Sequence, residues 1–408
     1  MLGGRTHGKS LETVPLAKPG SNAEEQYWRL FKELTLRPPK EGIVFLYVGI
    51  NETTPEPKPS ALQRLAAQSL LISRASYWVN NGKGRRSLDY ENRLAKLLTL
   101  ARRHHLPVII STLAGNIRGF RPAASPRVRS DPTTSQTYAV ARREESLGHT
   151  QAAAKIYAAL LSLAGPDPGL LHPLAVHYLK SNRLADARAL FVASHDTGTT
   201  LRPTREQNQA IRRMAARHGA ALTDTKALFE SASPAALPGN DLFRDAHHPN
   251  LRGYLLVAGG LARQMSRMLN IPILSPNLSE ADLRTRLGYT SEDERSSAFK
   301  SFIWFCGEAN IHADKEEALR MARRYLELGE RTTGRPAPLY RLILALVAGN
   351  HATISRLLAH EETLLQDTEA LRFVAGHREW TTWLVRRAGL SAPLEARAQR
   401  ILDHAGEG

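Results

Sequence analysis

An uninterrupted apolar run, 43–48 (IVFLYV), and a second stretch that is mostly apolar, 107–113 (PVIISTL), constrain the fold more than any other feature of the chain. A strand with one wet face alternates apolar and polar side chains. A run that is apolar at nearly every position has both faces covered, the condition of a strand inside a parallel sheet. Two shorter stretches, 11–16 and 220–224, are further strand candidates. The segments between them carry helical periodicity. Residues 24–34 place Tyr27, Leu30, Phe31 and Leu34 on one face, 90–104 align Leu94, Leu97, Leu98 and Ala101, and 60–73, 206–218 and 251–269 also read as helices. Gly219 is the expected C-cap of 206–218. Strands separated by helices predict a parallel α/β sheet with helices on both faces.

The alternation is interrupted between 137 and 196 by an all-helical stretch with a weak 34-residue period: Gly148 returns as Asn182, Ala153 as Ala187, and Ile156 as Leu190. That is the tetratricopeptide period, in which small alanines let paired helices approach closely. From 275 onward the chain is helical again. Ser279-x-x-Asp282 and Asp314-x-x-Glu317 resemble helix N-terminal caps, and a break falls at 334–338. The expected organisation is therefore 1–130 and 201–272 as two parts of one α/β domain, 131–200 as a helical insertion, and 273–408 as a separate α-helical domain.

Composition excludes some functions. The 408 residues are 42% hydrophobic and 23% charged, a globular balance. No run of eighteen apolar residues and no secretory leader is written. One cysteine, Cys306, leaves neither an internal disulfide nor a cysteine zinc site. The net charge of +16 raises nucleic acid as a partner. The excess is dispersed as arginine pairs on helices, without a basic tail or an RNA-binding aromatic signature, so nucleic acid is not the expected partner.

In open parallel sheets ligands bind at the carboxyl ends of strands. Gly49-Ile-Asn51-Glu52 directly follows the first apolar run, and Asp245-Ala-His-His248 directly precedes the helix at 251. A carboxylate three residues before a histidine suits the orienter and base of a nucleophilic triad, and Asn51 suits an oxyanion donor. The adjacent pair His247-His248 lacks a third ligand in the sequence, and no metal or other cofactor is expected. Asn116 and Arg118 follow the strand at 107–113, and Arg202 precedes the helix at 206–218; Asn116 and Arg202 are further substrate-binding candidates. Asp224 reads as a helix cap.

These blocks, in this order, resemble the SGNH/GDSL hydrolases, serine esterases and acyl-transfer enzymes on a flavodoxin-like sheet. Lys18-Pro-Gly-Ser-Asn22 is similar to the second family block, with Gly20 as its glycine. Gly49-Ile-Asn51-Glu52 is similar to the third, with Glu52 in place of the usual aspartate, and Asp245-Ala-His-His248 to the fourth. The resemblance covers about 11–269. It implies Asp245 and His248 as triad members, the Gly20 N–H and Asn51 as oxyanion hole, and an ester substrate, either a small molecule or an acylated glycan such as an O-acetyl ester. The family's first block, Gly-Asp-Ser with the nucleophile on a central strand, does not occur upstream of Gly20. Ser10 lies at the wrong end of its strand, and nothing in the sequence activates Ser21. Four strand candidates stand where the fold has five. The expectation is a chain that lacks its central first strand, with the true start upstream. Such a segment could carry a signal or anchor, so localisation stays open, the cell envelope included. The alternative is a non-catalytic scaffold whose helical repeats bind a protein partner; a charge-driven binder of nucleic acid or acidic glycan is a third reading.

Overall fold

A computed structural model describes residues 5–6, 9–10, 14–16, 22–49, 83–197, 202–270, 279–311 and 315–407. The chain divides into two compact units, Met1–Asn277 and Leu278–Gly408.

In the first unit three strands form a parallel sheet in the order β3–β4–β5: β3 Val44–Leu46, β4 Val108–Ser111 and β5 Ala221–Thr223. Val44 pairs with Val108, and Ile109 with Ala221. All four residues of β4 are buried, as a central strand between two helical layers requires. Val108 and Ile110 enter one core with Leu94, Leu97 and Leu98 of α2 (Lys83–Arg103), Ile211 and Met214 of α8 (Arg205–His218), and Leu30 and Leu34 of α1 (Ala23–Leu36). The other face is met by α10 (Leu251–Leu269), where Gly260 comes against Thr223.

The expected parallel sheet flanked by helices is present, but the five-stranded flavodoxin-like arrangement is not reproduced in detail. Among the described residues the sheet has three strands, and no strand pairs with the outer edge of β3. Val14–Leu16, the described part of the first strand candidate, is not a strand. Instead, β1 (Arg5–Thr6) and β2 (Lys9–Ser10) make a two-residue antiparallel ladder ahead of it. LETVPL is short and has a proline that cannot donate to a ladder, so its apolar content alone does not make a strand. Phe31 departs from the face expected of it: Leu30 and Leu34 are buried, while Phe31 and its neighbour Trp28 are exposed. The 60–73 helix lies outside the described residues.

The insertion comprises α3 (Pro126–Ser130), α4 (Pro132–Ser146), α5 (Thr150–Ala164), α6 (Pro168–Lys180) and α7 (Leu184–Thr197). Gly148 and Asn182 both take left-handed backbone at the turns into α5 and α7. Ala153 and Ala187 are both buried. Arg121, itself buried, ties the insertion to the chain that leaves β4. Its guanidinium donates to Glu145 (2.6 Å), the Tyr157 hydroxyl (3.1 Å) and Gly169 O (3.2 Å).

The second unit is all helix: α11 (Glu280–Leu287), α12 (Ser291–Ile311), α13 (Lys315–Thr333), α14 (Pro338–Ala348) and five further helices ending with Ala392–Glu407. Ser279 and Asp282 form the capping box expected from their spacing; Asp314 lies outside the described residues. Phe299, Phe302 and Phe305 of α12 are buried with Tyr325 and Tyr340, and burial pushes the Cys306 thiol well above its ordinary range. No described helix is long and apolar enough to cross a membrane.

Candidate functional site

The turn Asp245–His248 is built by local hydrogen bonding before any tertiary contact. The Asp245 Oδ1 atom accepts from the backbone N–H of His247 (2.9 Å) and of His248 (2.8 Å), an Asx-type turn that folds the chain back on itself. Arg244 N–H donates to His248 O (2.8 Å), and Phe243 and Pro249 form an antiparallel bridge across the base of the turn. The turn leads straight into α10, whose N-cap Asn250 accepts from Gly253 N–H. Position 253 has to be glycine: a Cβ there would overlap Leu242 O and lie 2.8 Å from Pro249 Cβ. The same turn aims the His248 ring at the remaining carboxylate oxygen, with Nδ1 to Asp245 Oδ2 at 2.6 Å.

Burial raises the Asp245 carboxyl, but the His248 hydrogen bond, the charge of His247 and His248 and the His247 N–H outweigh it, and the group sits below its ordinary 3.8. The carboxylate in turn holds the His248 imidazole above its ordinary 6.5, against a smaller opposing effect of burial. With Nδ1–H donated to Asp245, the neutral ring presents Nε2 as a lone pair. The His248 side chain is 57% exposed while that of Asp245 is 9% exposed, so the orienter is buried and the base faces outward. No described hydroxyl or thiol is bonded to Nε2. The arrangement is an oriented general base that lacks a visible nucleophile among the described residues.

The dyad stands at the carboxyl edge of the sheet because Asn116, just beyond β4, holds it there. Asn116 N–H donates to Ala246 O (2.9 Å), and its side-chain Nδ2 donates to Asp245 O (2.7 Å) and Asn240 Oδ1 (2.9 Å). Its Oδ1 accepts from Gly119 N–H (2.8 Å). The side chain is fully buried and its amide is engaged throughout, so its visible role is a staple between two loops rather than contact with a ligand. Arg202 donates to Phe120 O and lies over the Phe120 ring, while Arg118 pairs with Asp241 at 2.8 Å. Asp224 caps the helix Thr225–Ser231 (α9) as its spacing indicates, and also accepts from Thr112 and Arg212.

The third-block segment enters this edge from β3. Gly49, at φ +137°, is buried; a Cβ there would stand 2.5 Å from the Tyr90 hydroxyl and 2.8 Å from Leu113. Its carbonyl accepts from Gln207 Nε2 (2.7 Å). Gly20, Ser21, Asn51 and Glu52 lie outside the described residues.

Three side chains at this edge were not anticipated. Asn208 clamps Leu113 twice: its Oδ1 accepts from Leu113 N–H (2.7 Å) and its Nδ2 donates to Leu113 O (2.9 Å). Asn240 interlocks with Gly119, where any side chain would collide with it. His195, from the end of α7, brings its Nε2 beside Gly115, and burial holds it below its ordinary range. Each acts across a large sequence separation, and no local pattern marks it.

One group among the described residues has the composition of a cation site: Asp245, His247 and His248, whose ligand atoms lie within 4.8 Å of one another. Tetrahedral zinc with bonds of about 2.0–2.1 Å needs its ligands roughly 3.4 Å apart. Here the Asp245 oxygen is already engaged by Nδ1. The geometry suits a proton between Asp245 and His248 better than a metal.

Comparison with protein-family models, with curated proteins and with solved structures gives no match to this chain.

Proposed function

We propose that Asp245 and His248 are the acid–base half of a serine ester hydrolase of the SGNH/GDSL type, acting on an ester of a small molecule or an acylated glycan. The observation that carries the reading is the dyad: a buried, doubly anchored carboxylate on Nδ1 of an outward-facing imidazole at the carboxyl edge of a parallel sheet. His248 Nε2 takes the proton from a serine hydroxyl as its oxygen attacks the ester carbonyl. Asp245 stabilises the imidazolium so formed. The tetrahedral oxyanion is received by the Gly20 N–H and the Asn51 amide, and collapse releases the alcohol with the proton from Nε2. Water then repeats the sequence on the acyl-enzyme, or a sugar hydroxyl does so in acyl transfer. The nucleophile belongs on a strand at the outer edge of β3, where no described strand pairs. No cofactor enters this scheme.

The test uses protein isolated from its native cell, assayed with a p-nitrophenyl ester and a fluorophosphonate serine probe. His248→Ala is expected to lower kcat/KM by at least about 10³-fold and to abolish labelling. Hydrolysis and labelling that persist in His248→Ala, or that are absent in the unaltered protein, would overturn the proposal.

A second reading, a protein-binding scaffold, is favoured by Val140, Leu147, Leu163 and Leu184, all exposed on the insertion. A partner held there would remain bound when His248 is replaced.

A further inference from the structure

The amino edge of the sheet, opposite the dyad, carries a second concentration of functional groups. There α2 and α8 end one turn before β4 and β5, and both end in the same way. A residue in left-handed conformation closes each helix, and the next amide reaches back five residues: Leu106 N–H to Ala101 O (3.0 Å) and Ala220 N–H to Ala215 O (2.9 Å). On α8 that residue is Gly219, at φ 65°. On α2 it is His105, at φ 55°. Left-handed backbone disfavours a side chain, so glycine avoids a strain that His105 accepts.

The side chain so placed lines a cleft of about 430 Å³ together with Arg102 and His218, over a floor that includes Leu106 and Val108. No described carboxylate lines it. Burial, then Arg217 and Arg102, hold the His218 imidazole below its ordinary range. Neither Arg102 nor Arg217 forms an ion pair with a described carboxylate, whereas Arg212 and Arg213 of the same helix α8 pair with Asp224 and Glu91. Basic residues offset the dipole at a helix C-terminus, which accounts for an arginine on each helix. It does not account for a cleft that Arg102, His105 and His218 line together with no described carboxylate among them.

We propose that this cleft binds a soluble phosphate monoester, its phosphate held by Arg102, His105 and His218, with Arg217, next to His218 in the chain and outside the lining, adding a second fixed charge nearby. A phosphate monoester carries a charge of about −1.5 to −2 at neutral pH and matches two arginines better than a carboxylate does. The volume lies within the roughly 300–1,000 Å³ of small-molecule sites, leaving room for an organic group on the phosphate. The site is on the edge opposite Asp245 and His248 and does not depend on the hydrolase reading.

Calorimetric titration with inorganic phosphate and with glycerol 3-phosphate, at constant ionic strength against chloride, tests the proposal. Saturable binding with Kd below about 1 mM is expected. Arg102→Gln should weaken it about tenfold, the loss of one charge-assisted hydrogen bond. His105→Gly separates binding from structure: it should raise the melting temperature by relieving the left-handed strain and at the same time weaken phosphate binding. Absence of saturation with both probes, or equal affinity in Arg102→Gln, overturns the proposal. Capture by phosphatidic acid vesicles that needs Arg102, without affinity for either soluble probe, would also overturn it and assign the cleft to a membrane surface.

Discussion

Replacing Asn116 with alanine separates two roles that one asparagine at a strand end can play. The side chain makes three hydrogen bonds inside the molecule, to Asp245 O, Asn240 Oδ1 and Gly119 N–H. The bond to Asp245 O is buried, so its loss leaves a carbonyl without a partner, at about 1–3 kcal/mol. The other two are part-buried and admit water once opened, at about 0.5–1.5 kcal/mol each. Together they give a local destabilisation of about 3 kcal/mol, concentrated in 112–121 and 240–250. Hydrogen exchange reads this directly. Amides of His247 and His248, which donate to Asp245, should lose protection by about 100-fold, since each 1.4 kcal/mol is tenfold. The second unit provides an internal reference and should not change. Protection within about threefold of the parent would show that these bonds do not hold the turn, and would refute the staple. An asparagine that only contacts substrate would leave exchange unchanged and raise KM.

The remaining expectations concern the same unit. Asp245 has a lowered folded pKa, so its stabilisation is present above its unfolded value and lost as pH falls through the folded one, below 3.8. His248 has a raised folded pKa, so its share is complete below the unfolded value and lost as pH rises through the folded one, above 6.5. Exchange protection of the turn should therefore be greatest between those limits, and His248→Ala should remove the alkaline loss and diminish the acid one, because the His248 hydrogen bond and charge supply much of the lowering at Asp245. Two glycines on α10 should respond with opposite sign. Gly259→Ala meets nothing closer than the flexible end of Arg263 at 3.6 Å and should be neutral or stabilise by up to about 1 kcal/mol. Gly253→Ala should destabilise by about 2 kcal/mol, because backbone of Leu242 stands where the Cβ must go. Thermal denaturation of both variants checks the contrast. Arg121→Met should cost about 1–3 kcal/mol, because Glu145 keeps the Tyr157 hydroxyl and Arg142 as partners and is partly open to water, with Glu145→Gln restoring part of it; the double-variant cycle is the measurement.

Much of this architecture is legible in the sequence where the cause is local. The runs around Leu46 and Ile110 are apolar at consecutive positions because both sheet faces are covered, and that shows without knowing what covers them. The caps at Ser279 and Gly219 depend on residues within one turn. The pairing of Asp245 with His248 is also written locally, since a three-residue turn can bring them together, although Asn116 from beyond β4 then holds that turn. Where the reading went astray, the cause was also physical. LETVPL has the composition of a strand but no described neighbour to pair with, and Phe31 has helical spacing but stays exposed beside Tyr27 and Trp28 of its own helix.

The tertiary structure decided what each polar residue does once the elements meet. Asn116 reads as a strand-end residue open to a ligand, and strand order turns it into a buried clamp on a turn 129 residues later. Asn208 and Asn240 acquire partners 95 and 121 residues away, and nothing near them in the chain announces it. The cationic cleft is likewise made by two helix ends that are remote in sequence and adjacent only because β4 and β5 are. Backbone propensity, capping and apolar periodicity act over a few residues and are therefore written locally. A buried hydrogen bond between loops depends on which strands are neighbours, and that is settled only when the cores on both faces of the sheet close.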